Sequence, residues 1–86
     1  MKRIYKYPLR LVAHPQSITM PRDATVVHFA MQGDTPTFWA VVDPYSPDRE
    51  ARNFVIRGTG QDLDDELRYI GTTQHGPLVW HLFEEE

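Results

Sequence analysis

Short segments in which apolar and polar residues alternate run from one end of the chain to the other, separated by residues that favour turns. Alternation with a period of two places successive side chains on opposite faces of a strand. Residues 24–32 are apolar on both sides, which predicts a central strand covered on each face. We predict strands at residues 2–9, 17–20, 24–32, 37–43, 51–58, 68–74 and 77–83.

Turn-forming residues mark where these strands end. Gly33-Asp34 favours a hairpin between the third and fourth predicted strands. Pro44 and Pro47 suppress both helix and strand pairing in the loop at residues 43–48. Pro8 cannot donate a hydrogen bond to a neighbouring strand, so the first strand ends there or lies at the edge of a sheet.

One segment, residues 62–68, favours a helical turn instead. Asp62 can cap a helix, and Leu63 and Leu67 lie four residues apart, which would place them in one buried stripe. The whole pattern predicts a mainly β fold: a small antiparallel sandwich or partly open barrel of six to seven short strands, with one short helical turn near 62–68. We expect residues 1–86 to form a single β-rich domain.

Charge is distributed unevenly along this domain. The chain has 9 basic and 12 acidic residues, but residues 1–22 hold five cations and no acid, and residues 62–86 hold seven acids and one cation. A basic surface for phosphates or for an acidic partner would give this pattern. The alternative is that the basic first strand lies against the acidic C-terminal segment, so that the charges cancel locally.

Composition excludes several classes of site. The chain has no cysteine, which excludes disulfides, thiolate metal sites and cysteine nucleophiles. The longest apolar run, residues 38–42, is far shorter than the roughly 20 residues that a membrane-spanning helix needs. The first residues lack the apolar stretch of a secretion signal, so we expect the protein to stay in the cytoplasm.

No group of residues predicts catalysis, a cofactor or a bound metal. His28 and His81 could face each other across a sheet, but half-buried histidines bonded to backbone or hydroxyl groups explain them more simply. Ser17 and Ser46 lie outside a nucleophile elbow. Four acids follow Gly58-Thr59-Gly60 and would repel a phosphate, so this segment is a turn. The sequence therefore gives no support for an enzyme.

Nucleic-acid binding is one alternative for the basic segment. Cations neutralise phosphates and aromatic rings stack on bases, and the first strand carries both. Tyr5 and Tyr7 are its aromatic residues, interleaved with cations. The opposing interpretation is that both rings point into the core while the cations are solvated, and the overall acidic charge also disfavours nucleic acid.

Several blocks of sequence together resemble a family of small uncharacterised proteins of tailed bacteriophages and prophages. The blocks are Ile4-Tyr5-Lys6-Tyr7-Pro8-Leu9, Met20-Pro21, Phe38-Trp39-Ala40-Val41-Val42-Asp43-Pro44, Phe54-Val55-Ile56-Arg57-Gly58-Thr59-Gly60, Tyr69-Ile70-Gly71-Thr72 and Leu78-Val79-Trp80-His81-Leu82-Phe83-Glu84. The order and spacing of the blocks carry the resemblance, which spans nearly the whole chain. It implies a phage accessory protein in the cytoplasm of a host bacterium, and it attaches no activity to any residue.

The leading hypothesis is a non-enzymatic adaptor or inhibitor that binds a host or phage protein, such as a component of a defence system. Contact would be made by sheet-edge pairing, by the basic first strand or by the loop at 43–48. A second hypothesis is a single-stranded nucleic-acid binder, and a third is sequestration of a small anionic nucleotide, in which a homodimer could contribute arginines from each subunit. The candidate partner-binding residues are Lys2, Arg3, Lys6, Arg10, Tyr45, Arg52 and Arg57.

Overall fold

A computed structural model describes all 86 residues, which form seven β-strands and no helix. The strands are β1 (Arg3–Pro8), β2 (Gln16–Pro21), β3 (Thr25–Gln32), β4 (Thr35–Val42), β5 (Arg49–Gly58), β6 (Leu67–His75) and β7 (Leu78–Glu85). The prediction of a mainly β chain is confirmed. The predicted turn at Gly33 is also present between β3 and β4, where this residue has a φ of 60° that glycine adopts without strain.

The strands form two antiparallel sheets that do not close into a barrel. One sheet has the order β1-β4-β3, and the other has the order β2-β5-β7-β6. The sheets pack on each other through alternate residues of their central strands, as in the contact between the Phe38 and Phe54 rings, whose centroids lie 4.4 Å apart. Both rings are fully buried, and each contributes roughly 1.5–3 kcal/mol of transfer free energy.

The edges of the two sheets approach each other on one side only. There β3 lies beside β6, and the Met31 amide donates a hydrogen bond to Thr73 Oγ1 at 3.3 Å. Gly71 permits this approach, because a Cβ atom at its position would lie 3.3 Å from the Cβ of Phe29. The other two edge strands, β1 of the first sheet and β2 of the second, therefore lie on the opposite side, and each has one unpaired edge.

The predicted helical turn at 62–68 is wrong. Residues 61–64 have no regular structure, and Leu67 already belongs to β6. β5 and β6 flank β7, each antiparallel to it, and so run parallel to each other. The end of β5 lies opposite Trp80, and the start of β6 lies opposite Glu85. Five residues along β7 span about 17 Å, which the connection must cover, whereas a seven-residue helix rises only about 10 Å.

This connection, residues 59–66, crosses the face of the second sheet that is turned away from the core. Arg57 points to that face and donates a hydrogen bond from Nε to the Asp62 carbonyl at 3.3 Å. Val55, on the same face and opposite Phe83, is only 1% exposed. Leu63, within the connection, remains 52% exposed.

No helix of the structure has the length and apolar content that crossing a membrane requires.

Candidate functional site

The register of β1 against β4 decides which of its backbone groups are free. The Leu9 amide donates to the Pro36 carbonyl at 2.8 Å, and these residues lie directly opposite each other one step beyond the paired ladder. Hydrogen-bonded pairs recur at every second residue of an antiparallel ladder. Arg3, Tyr5 and Tyr7 therefore direct their N–H and C=O groups towards β4.

The intervening residues, Ile4 and Lys6, direct their backbone groups away from the sheet. No backbone or side-chain group of the protein pairs with them, since β4 is the only neighbour of β1. Pro8, the next residue in this alternation, has no N–H to offer, so the hydrogen-bonding edge ends there. Ile4 and Lys6 therefore present two free donors and two free acceptors along one side of β1.

The side chains of these two residues lie on the outer face of the first sheet. Ile4 stands opposite Val41 and Lys6 stands opposite Trp39, so the edge continues into a partly apolar face. Ile4 is 63% exposed. The ammonium of Lys6 reaches across β4 and donates to Gln32 Oε1 at 2.8 Å. An incoming strand would thus meet one apolar and one cationic side chain on this face.

The loop at 43–48 is held beside the start of β1. The Asp43 carboxylate accepts a hydrogen bond from the Tyr45 amide at 3.0 Å, which shapes the turn. The Arg3 guanidinium donates to the Tyr45 hydroxyl at 3.2 Å and its carbon lies 5.7 Å from the ring centroid. Because Tyr45 is 70% exposed, it extends the surface of β1 rather than the core. We call the free side of β1, residues 2–6, together with Tyr45 the basic edge.

The cations of the basic edge have no acidic partner within the protein. Every ion pair of the structure involves Arg52, Arg68 or His75, and none involves Lys2, Arg3 or Lys6. The expectation that the first strand lies against the acidic C-terminal segment is therefore wrong. β1 belongs to the first sheet, whereas β7 and the acids that follow it belong to the second.

The acids of the C-terminal half gather around an open cleft of the second sheet. This cleft has a volume of about 720 Å³, and its acidic lining residues are Asp64, Asp65, Glu66, Glu84, Glu85 and Glu86. No residue of β1 or of the loop at 43–48 lines this cleft. The charge segregation seen along the sequence is thus also a segregation in space.

The remaining candidate arginines lie elsewhere. Arg52 and Arg57 are an odd number of residues apart on β5, so they point to opposite faces, and the structure does not bring them together. Arg57 donates from Nη1 to the Ala13 carbonyl at 2.7 Å. Arg10 lies beyond Pro8, where Gln16 binds both its backbone N–H and its C=O. Of the seven candidates, Lys2, Arg3 and Lys6 follow one another along β1 and its start, with Lys2 and Lys6 on the outer face and Arg3 on the face of Tyr5 and Tyr7. Tyr45 lies beside Arg3.

Tyr5 and Tyr7 face the core side of the sheet, away from Lys6. Tyr7 stacks on Phe38 with ring centroids 5.1 Å apart, and it is half-buried. Burial, followed by the charge of Tyr5, raises the pKa of Tyr7 despite the nearby Arg49. The ring that stacks on Phe38 is committed to packing, which leaves Tyr5, 37% exposed, as the free aromatic residue of β1.

Sequence reasoning missed a buried ion pair between the sheets. Glu84, in the acidic C-terminal segment, is 6% exposed and accepts hydrogen bonds from Arg52 and Arg68. Burial raises the pKa of Glu84, but the hydrogen bonds and charge of Arg52, together with Arg68, outweigh burial and leave the pKa lowered. The signal was available in the alternation of β7, since Glu84 has the same parity as the core residue Leu82.

A chain of hydrogen bonds on the outer face of the second sheet was also missed. His81 bonds Thr59 Oγ1 through Nε2 at 2.9 Å and Thr72 Oγ1 through Nδ1 at 2.8 Å, and Tyr69 continues the chain. These contacts fix the start of the 59–66 connection. His28 lies in the other sheet, so the two histidines do not face each other. No group of three or more histidine, aspartate and glutamate side chains could hold a metal ion.

Comparisons with known proteins place the chain in a family but assign it no activity or ligand. Neither the curated proteins nor the solved structures provide a match. A family model described as a domain of unknown function, DUF7352, matches residues 1–86. The chain, with its two antiparallel sheets and free basic edge, therefore belongs to the DUF7352 family.

Proposed function

We propose that this protein is a non-enzymatic binding module that pairs an extended, acidic segment of a partner protein with the free side of β1. The observation that supports this most is the set of unpaired backbone groups at Ile4 and Lys6, flanked by cations that form no ion pair within the protein. An edge strand with free N–H and C=O groups is a template for another strand.

The positive charge of β1 favours an acidic partner strand. Lys2, Arg3 and Lys6 surround the free groups, so an acidic segment gains favourable pairs across the new ladder, whereas a basic segment is repelled. A second copy of β1 would bring the same cations against each other. Complementary charge therefore favours a different protein over self-pairing through this strand.

The resemblance to small phage and prophage proteins favours a host or phage protein as the partner. Strand addition would block or redirect that protein by occupying the segment that pairs with β1. Tyr45, held beside Arg3, would add an exposed aromatic contact next to the strand.

Binding of defined peptides tests the proposal. The probe is an eight-residue peptide of alternating glutamate and valine with blocked ends, and its control replaces each glutamate with lysine. We expect the acidic peptide to bind, its affinity to fall as salt is raised, and the basic peptide not to bind. Binding of both peptides alike, or of neither, would overturn the proposal.

A pair of variants locates the contact on the backbone. Ile4→Pro removes one outward N–H without removing a bond to β4, and Ile4→Ala keeps the N–H while shortening the side chain. We expect the proline variant to lose about fivefold in affinity beyond any loss in the alanine variant, since one hydrogen bond is worth roughly 1 kcal/mol. Should the proline variant unfold by circular dichroism, Lys6→Glu, at an exposed position, replaces it and should weaken binding as well.

Two other occupants of the basic edge would give different results. Salt-dependent binding of single-stranded DNA in place of the acidic peptide would favour the nucleic-acid hypothesis over the present one. A concentration-dependent dimer in sedimentation, lost in Ile4→Pro, would identify a second copy as the occupant. Either result would contradict the assignment of an acidic partner segment.

A further inference from the structure

We infer that the partner segment runs antiparallel to β1 and carries, in order, an acidic residue opposite Lys6, an apolar residue opposite Ile4, and two acidic residues opposite Arg3 and Lys2. This inference rests on the proposed function and specifies its partner. It follows from which backbone groups of β1 are free and from where its side chains lie.

The register of the partner strand follows from the free backbone groups of β1. In an antiparallel ladder, a residue with outward-facing N–H and C=O exchanges both bonds with one residue of the incoming strand. Ile4 and Lys6 would each form such a pair, and the two partner residues would be separated by one residue. Pro8 offers no N–H, so pairing cannot extend far beyond Lys6.

The outer face then fixes two side chains of the partner. Directly opposite residues share a face, so the residue paired with Ile4 would extend the row formed by Ile4 and Val41. An apolar side chain there covers Ile4, which is 63% exposed. The residue paired with Lys6 would extend the row formed by Lys6 and Trp39.

An acid opposite Lys6 competes with a contact that the free protein makes. The Lys6 ammonium donates to the neutral Gln32 amide at 2.8 Å. A carboxylate forms a stronger, charge-assisted hydrogen bond and can also accept from the remaining ammonium protons. Lys6 would therefore turn from Gln32 towards the incoming strand.

The remaining cations of β1 distinguish the two possible directions of the partner strand. Arg3 and Lys2 precede Ile4, so an antiparallel strand meets them after its apolar residue, and a parallel strand meets them before it. The two directions thus require sequences that are the reverse of each other. Antiparallel pairing is favoured because each free residue of β1 can exchange two short, perpendicular bonds with one partner residue.

Three blocked peptides of identical composition test this assignment. The first, Thr-Glu-Thr-Val-Glu-Glu, places its residues as the inference requires. The second is its exact reverse in sequence, Glu-Glu-Val-Thr-Glu-Thr, and the third, Thr-Val-Thr-Glu-Glu-Glu, exchanges the valine with the first glutamate. Blocking the termini removes end charges, so the peptides differ only in order.

We expect the first peptide to bind about three- to tenfold more tightly than the other two, as two favourable cross-strand pairs would give. Tighter binding of the reversed peptide would overturn the antiparallel direction. Equal binding of all three would overturn the register while leaving the proposed function intact. If these peptides and the alternating glutamate-valine peptide all fail to bind, the proposed function itself is wrong.

Discussion

Arg52 holds Glu84 between the two sheets through two hydrogen bonds, from Nε to Oε2 at 2.6 Å and from Nη2 to Oε1 at 2.8 Å. The side chains are only 14% and 8% exposed. Arg52 also donates from Nη1 to the carbonyl of Ala24, in the segment that leads into β3. One guanidinium therefore links the second sheet to the first.

Removing Arg52 should destabilise the protein far more than removing Arg68, although both bond the same carboxylate. Arg52→Met leaves a buried charge without its main partner, which costs about 3–5 kcal/mol. Arg68 is 56% exposed, so Arg68→Met should cost only about 0.2–1 kcal/mol. Urea unfolding of the two variants measures both values. Equal losses would show that Arg52 has no special structural role.

Acid should weaken the fold through Glu84. Its pKa in the folded protein lies below the ordinary value of 4.5, because Arg52 and Arg68 outweigh the effect of burial. The ionised group therefore stabilises the fold above pH 4.5, and this stability is lost as pH falls through the lower folded pKa. Thermal unfolding between pH 7 and pH 2 should show Glu84→Gln less stable than wild type at neutral pH. The difference should shrink in acid, and a constant difference would contradict this account.

The contact between β3 and β6 should not tolerate a larger residue at Gly71. A Cβ atom there would lie 3.3 Å from the Phe29 Cβ, so Gly71→Val has to push the two edges apart. We expect a loss of about 1–3 kcal/mol in the free energy of unfolding. Gln74→Val adds a similar apolar side chain at a solvent-facing position of the same strand and is the control. If both variants are equally stable, the close approach of the edges is not required.

Most strands were predictable because they alternate cleanly. The prediction that residues 24–32 form a central strand covered on each face is wrong, since β3 is an edge strand of the first sheet and Val27 is 53% exposed. In β4, alternation places Phe38, Ala40 and Val42 on one face, and the structure buries all three. The connection at 59–66 was not predictable from local preference, because its extended form is imposed by the distance between the end of β5 and the start of β6. Local capping and helix-dipole effects are too small to overcome such a constraint.

The basic edge was predictable only in part. Charge counting selected Lys2, Arg3 and Lys6, and Tyr45 was selected as part of the loop at 43–48. That Arg3 and Tyr45 meet, and that Ile4 and Lys6 carry the free backbone groups, depends on the pairing of β1 with β4. Arg52 was selected by charge alone, whereas its parity with the core residues Phe54 and Ile56 indicated burial.

Amide hydrogen exchange along β1 tests the central claim most directly. In the free protein, the Tyr5 and Tyr7 amides should exchange slowly because they bond β4, while the Ile4 and Lys6 amides should exchange fast. Adding the acidic peptide should protect Ile4 and Lys6 and leave the other two unchanged. A peptide that binds while Ile4 and Lys6 exchange as fast as before would contradict strand addition at the basic edge.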